Sequence, residues 1–228
     1  MSENKRDIQI SKALAYLLRH GAVKEGLPID NNGYVSIDLL LRHNRLKSLH
    51  CTLQDVERVV ANNAKKRFHI QAFQDGQTAI CATQGHSLAQ VTPSDEFLHK
   101  VCVQTELPSK LVHGTSFSSL KLILQSGFLK KMRRNHIHLA AGVTGSDDNV
   151  VSGMRVSSNV FIYLKVKELC ERLQVFRSLN NVYLTPEDIP IDLFQCVVLI
   201  GSEKSKSTVH ELKLALEQLH VPCEVSEG

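Results

Sequence analysis

The 228 residues suit one large domain or two small ones. Apolar residues make up 43% and charged residues 22%, values that exclude a largely disordered chain. Lys plus Arg number 27 against 23 Asp plus Glu, a net +4 that excludes a strongly polycationic protein and hints only weakly at a polyanionic partner. No apolar run approaches the roughly 18 residues that a membrane span needs. The opening MSENKRDIQI lacks the apolar core of a secretory signal. Cys51, Cys81, Cys102, Cys170, Cys196 and Cys223 form no CxxC pair. That spacing argues against a zinc or disulfide framework and for reduced thiols inside a cell.

In chain order, residues 7–20 read as a helix with an apolar stripe of Ile8, Ala13, Leu14, Leu17 and Leu18, stopped by Gly21. A second helix starts at Ser36 and carries Leu39, Leu40 and Leu41. A third starts at Thr52, with Asp55 in the position of a capping box and Leu53, Val56, Val59 and Val60 as its stripe. Phe68, Ile70 and Ala72 alternate with polar residues as a strand. Asp75-Gly76 is a hairpin signal, and Ala79–Ala82 is the return strand. Helices followed by a hairpin suggest a winged-helix-like module. The junction falls within residues 86–110, which hold Pro93, Ser94 and Pro108 and no clear period, so the domains are set at 1–98 and 99–228.

The second half opens with a strand at Leu111–His113 and a helix carrying Leu120, Ile123 and Leu124 that stops at Gly127. Strands are expected at 137–140, 160–166, 181–184 and 195–200, with helices at 167–173 and 208–220; 142–149 and 152–159 read as loops. Each half carries a net +2, so charge does not separate them. The predicted fold class is α+β.

Several polar residues admit two readings. Arg19 and His20 close the first helix, where cations favour the dipole. Arg67 shares a polar strand face with His69 and Gln71. Gln84-Gly85-His86-Ser87 reads as a turn. His113-Gly114-Thr115 leads from a strand to a helix, where glycine lets backbone approach a phosphate or ribose. His136 and His138 alternate on one strand but have no third metal ligand. Lys130, Lys131, Arg133 and Arg134 form a basic run, either solvated surface or an RNA-backbone contact. Arg155 lies in a loop before a strand.

Taken in order, Ser11–His20, Asn32–Val35, Lys66–Ile70, Gln84–Ser87, Leu111–Thr115, Arg134–Leu139, Gly153–Arg155 and Asn180–Leu184 closely resemble the NAD-dependent RNA (tRNA) 2'-phosphotransferase family in its fungal form, over roughly residues 5–200. Ala140 and Tyr183 depart from the Ser and Trp common there. The resemblance implies a bilobed protein. An N-terminal winged-helix-like lobe faces RNA, and a C-terminal ADP-ribosyltransferase-like lobe holds NAD as co-substrate, with no metal.

It implies further that an internal RNA 2'-phosphate, as left by tRNA ligation, displaces nicotinamide from NAD. The ribose 2''-hydroxyl then attacks the phosphate, giving 2'-hydroxyl RNA and ADP-ribose 1'',2''-cyclic phosphate. Arg19, His20, Arg67 and Arg155 match the family's functional set. The first three are expected to grip the 2'-phosphate, and Arg155 to reach it from the NAD lobe. His113, Gly114 and Thr115 match the first NAD motif and His138-Leu139 the second, with Arg134 and Asn135 supporting the pocket. The third motif, elsewhere a glutamate, is hydrophobic near Val182. Two alternatives stand beside this: an ADP-ribosyltransferase that removes no phosphate, and a nucleic-acid binder without catalysis. The expected partners are tRNA or other RNA with an internal 2'-phosphate. No membrane is expected, and a monomer in the nucleus or cytoplasm is.

Overall fold

The computed structural model describes residues 3–73, 76–93, 97–102, 107–143, 154–155 and 157–227. The expected loop at 144–149, Gly153, and the Asp75 side of the hairpin lie outside them. The chain divides into two units. The first holds Met1–Leu98, Arg133–Asn135 and Ser178–Asn180, and the second His99–Met132, His136–Arg177 and Asn181–Gly228.

In the first unit α1 (Glu3–Tyr16) runs into a π-helical turn at Leu17–Gly21. β1 (Tyr34–Ser36), α2 (Ile37–Arg42), α3 (Asn44–Lys47), α4 (Leu53–Ala61), β2 (Phe68–Ala72) and β3 (Thr78–Ala82) follow. The strands form an antiparallel sheet in the order β1-β3-β2. α1 and the π turn bury Ile10, Leu14, Leu17 and Leu18 in one core with Val56 and Val59 of α4 and Ile80 of β3. The stripe differs from expectation at its start. Ile8 is 50% exposed, and Ile10, one turn before Leu14, takes the core position. α4 begins with the expected capping box: Thr52 Oγ1 accepts from Asp55 N while Asp55 accepts from Thr52 N. The buried Asp55 carboxylate also receives Arg6 (2.8 and 2.6 Å) and Arg58 (2.7 Å), pinning the start of α1 to α4.

The second unit contains β4 (Leu98–Val101), β5 (Val112–Thr115), α5 (Phe117–Ser126), β6 (Phe128–Leu129), β7 (Ile137–Leu139), β8 (Val160–Leu164), α6 (Val166–Arg172), β9 (Val175–Ser178), β10 (Tyr183–Thr185), β11 (Ile189–Pro190), β12 (Phe194–Gly201), α7 (Lys206–Gln218) and β13 (Cys223–Glu227). Two four-stranded sheets, β4-β9-β10-β7 and β13-β12-β8-β5, enclose its core with α5 and α7. The α7 connection makes β13 parallel to β12, whereas the other recorded pairings of these sheets are antiparallel. Gly127 ends α5 at φ +76, the left-handed stop that its position predicts. β1, β4, β6, β9, β11 and β13 and the short α3 were not anticipated. Among the described residues no helix is long and apolar enough to cross a membrane.

Candidate functional site

The π turn carries Arg19 and His20 side by side. Arg19 is part-buried, and its Nε and Nη2 atoms are buried without a hydrogen-bond partner. These two nitrogens form the side edge of the guanidinium, the edge that pairs two oxygens of a phosphate or carboxylate at once. Burial first, then the charges of Arg67 and Arg134, push the Arg19 pKa down from 12.5 to about 10. A buried charge in that state is costly unless an anion joins it.

One segment walls this corner. Gly85, at φ +91, lies against the Arg19 side chain: a Cβ there would sit 3.5–3.6 Å from Nε, Cδ and Cζ. Ser87 N donates to Arg19 O (2.9 Å), and Ser87 Oγ is hydrogen-bonded to His20 Nδ1 (2.9 Å). The Gln84–Ser87 segment is therefore the back wall of the cation pair rather than a plain turn. His20 is exposed, yet partial desolvation, then Arg19 and Arg134, lower its pKa.

Arg67 is placed by the loop between α4 and β2. Asn63 Oδ1 accepts from Arg67 N (3.4 Å) and Arg67 Nη1 (3.2 Å), and Thr83 N donates to Arg67 O (2.9 Å). Lys66 takes the left-handed conformation at φ +43, with its N–H on Asn63 O. Asn180 Nδ2 donates to Lys65 O (3.0 Å). Burial lowers the Arg67 pKa. Asn63, Ser87 and Asn180 carry this geometry, and none was singled out from the sequence as a functional side chain.

Arg134 and Asn135, expected beside a cofactor, belong to the first unit. Asn135 N donates to His86 O, and its Nδ2 donates to Leu88 O (2.9 Å) and Val91 O (3.1 Å). That anchor brings the exposed Arg134 close enough to influence Arg19 and His20 electrostatically. The first unit thus assembles Arg19, His20, Arg67 and Arg134. A groove of about 940 Å³ opens from Arg19 and Arg67 between α1 and the α4–β2 loop.

In the second unit β5 carries His113, Gly114 and Thr115. His113 Nδ1 donates to His138 O (2.9 Å), which fixes the ring and places a proton on Nδ1. Gly114 is required by packing. A Cβ there would meet Met154 Cβ at 2.8 Å and Ser158 Oγ at 2.9 Å, so the glycine admits these two side chains. Asn159 N donates to Thr115 O (3.1 Å) and Ser158 N to Arg155 O (3.1 Å). The exposed Arg155 is thereby fastened next to the His113-Gly114-Thr115 strand, two motifs 40 residues apart in sequence. His138 is buried, and Leu139 is fully buried in the core, where it packs. Val182 is also fully buried. His136 packs edge-on against Phe176, and among the described residues no three His, Cys, Asp or Glu side chains are grouped to hold a metal.

Residues 5–187 match the model of the family described as RNA 2'-phosphotransferase, Tpt1 / KptA family. The chain is 46% identical to a tRNA 2'-phosphotransferase of Saccharomyces cerevisiae over 226 residues, covering 98% of this chain and 97% of that protein. It is 40% identical to tRNA 2'-phosphotransferase 1 of Danio rerio, covering 86% of this chain and 85% of the relative. For the protein of that name from Homo sapiens the identity is 41%, over 81% of this chain and 71% of the relative. With a match that takes in the Arg19, Arg67, His113 and Arg155 segments alike, the chain belongs to the RNA 2'-phosphotransferase family.

Proposed function

We propose that this protein removes the internal 2'-phosphate of spliced tRNA by transferring it to NAD. The observation that carries this is the Arg19 edge: two buried, unpartnered donors among Arg67, Arg134 and His20. A 2'-phosphomonoester carries about −2 charge and three acceptor oxygens, which suits several convergent cations better than a carboxylate does. The family relationship supplies the phosphate's source, since the relatives are named for tRNA 2'-phosphate transfer.

Arg19, His20 and Arg67 hold the phosphate. Its oxygen forms a bond to C1'' of the nicotinamide ribose as the C1''–N bond breaks and nicotinamide leaves. The ribose 2''-oxygen then bonds to phosphorus, and the RNA 2'-oxygen departs and takes up a proton. NAD supplies the activated ribose. The chain's residues orient the phosphate, keep it unprotonated and spread the charge that grows on phosphorus. His113, Thr115 and His138 are assigned to the NAD side. In support of that fit, the His113 ring is locked by a backbone carbonyl, and Met154, the neighbour of Arg155 in the chain, packs against Gly114. The first unit's helices and three-stranded sheet are consistent with a winged-helix-like RNA lobe, and the second with an ADP-ribosyltransferase-like lobe.

The test is incubation with NAD and a short RNA bearing one internal 2'-phosphate, with both products identified. Cyclic-phosphorylated ADP-ribose plus 2'-hydroxyl RNA is expected. A stable ADP-ribosylated RNA as end product would replace this function with ADP-ribosyl transfer alone, and no turnover would overturn it.

A further inference from the structure

The groove that opens from Arg19 and Arg67 is far larger than one phosphate needs. About 940 Å³ lies at the upper end of sites that hold whole small molecules. Its far reaches belong to no step of the proposed chemistry. Lys12 lines one wall from α1 and Lys65 the other from the α4–β2 loop. Among the described residues neither ammonium is held by a carboxylate. The acidic wall residue, Asp7, is already neutralised: Arg58 donates to it twice, at 3.1 and 2.7 Å. The groove is therefore cationic along its length. Lys12 precedes Arg19 by seven residues, two helical turns or about 10 Å along the axis, which is further than a single phosphate group spans.

We infer that this groove is the track for the RNA strand running on from the 2'-phosphate, with Lys12 and Lys65 pairing with its phosphodiester backbone. The inference rests on the function proposed above, because Arg19 and Arg67 stand at one end of the groove and fix what enters it. A single strand is the occupant that brings regularly spaced negative charge into a trough already joined to a phosphate site. The lining has no aromatic ring on which a base stacks, while Ile8 and Ala15 offer small apolar surface to sugar faces. The track thus reads backbone and not sequence, and it makes recognition salt-dependent.

The test compares wild type with the double variant Lys12→Gln, Lys65→Gln. One substrate is a minimal 2'-phosphorylated dinucleotide, and the other carries the same junction with several nucleotides on each side. On the longer RNA the double variant is expected to show a raised KM with kcat largely kept. Its loss in kcat/KM should be several-fold larger there than on the dinucleotide. The slope of log(kcat/KM) against log salt should become shallower by about 1.4, some 0.7 per lost contact, or about sevenfold over a fourfold rise in salt. Equal losses on both substrates, or an unchanged salt slope, would overturn the track. A binding arm keeps the two ideas apart. Anisotropy of the same long RNA without its 2'-phosphate should weaken in the double variant whether or not transfer occurs. If wild type turns over neither substrate but this difference persists, the function fails and the track stands. If turnover occurs and the difference is absent, the track fails alone.

Discussion

Replacing Arg19 by lysine separates charge from geometry at the proposed phosphate corner. Lysine keeps the cation but cannot present two donors along one edge as Nε and Nη2 do. Losing one charge-assisted hydrogen bond costs roughly 1.5–3 kcal/mol, so kcat/KM at pH 7 should fall about 10- to 150-fold. A second effect then appears with pH. Burial and the neighbouring Arg67 and Arg134 bring Arg19 from 12.5 to about 10. The same surroundings would lower a lysine from its usual ~10.4 toward neutrality. The Arg19→Lys variant should therefore lose further activity as pH rises above neutral, where wild type keeps its cation. The assay is nicotinamide release from NAD with 2'-phosphorylated RNA, followed from pH 6 to 9, with Arg133→Lys as an exposed control. Activity within twofold of wild type at pH 7, or a pH profile parallel to it, would refute both the bidentate edge and the desolvated corner.

Asn63→Asp should be worse than Asn63→Ala: a carboxylate where Oδ1 now accepts from Arg67 (3.2 Å) gives that guanidinium a resident anion that competes with phosphate, and phosphate-analogue affinity should rank wild type, Ala, Asp. Arg134→Gln removes a like charge near His20, so the His20 imidazole, held below its ordinary value chiefly by burial and then by Arg19 and Arg134, should titrate higher by NMR; an unmoved midpoint would remove Arg134 from the site. Asp55→Asn strips acceptors from Arg6 and Arg58 and should cost about 2–3 kcal/mol, read as a thermal midpoint several degrees lower. Because Arg6 holds the Asp55 carboxyl well below the usual carboxylate range, its contribution is full above about pH 4 and shrinks progressively as pH falls below that toward the depressed folded-state value; a wild-type-minus-variant stability gap as large at pH 2 as at pH 7 would contradict it.

What the sequence disclosed was what local rules govern. The Thr52–Asp55 cap, the Gly127 stop and the strands at Phe68 and Ala79 each depend on residues within a few positions of one another. Arg19, Arg67 and Arg155 stood out only through the series of motifs, since a lone arginine at a helix end or on a strand face has an ordinary explanation. The side chains that aim them were hidden because their bonds are long-range. Ser87 reaches back 67 residues to His20, and Asn180 reaches back 115 to Lys65. The expectation that Arg134 and Asn135 support the NAD pocket came from the family resemblance; the bonds of the Asn135 amide to the Leu88 and Val91 carbonyls were not legible in it. The packing of Met154 and Ser158 against Gly114 was likewise hidden, because those residues lie far along the chain. β9 and β13 escaped because Val175–Ser178 and Cys223–Glu227 lack a full alternating period and are strands by virtue of their neighbours.

The π turn joins these threads. A regular α-helix would have continued from Tyr16 with one residue fewer in its last turn, shifting Arg19 and His20 round the axis relative to Leu14 and Leu17. Leu17 and Leu18 are buried here at 0% exposure, and the Tyr16 ring lies against Gly21, where a Cβ would come within 2.6 Å of it. The core therefore takes both leucines, and the glycine leaves room for the ring. The widened turn then sets Arg19 inward against Gly85 and His20 outward to Ser87. Two adjacent residues thus face one small region from different depths, one desolvated and one exposed. That is the arrangement a phosphate needs if it is to be gripped firmly on one side while remaining open to a reacting partner on the other.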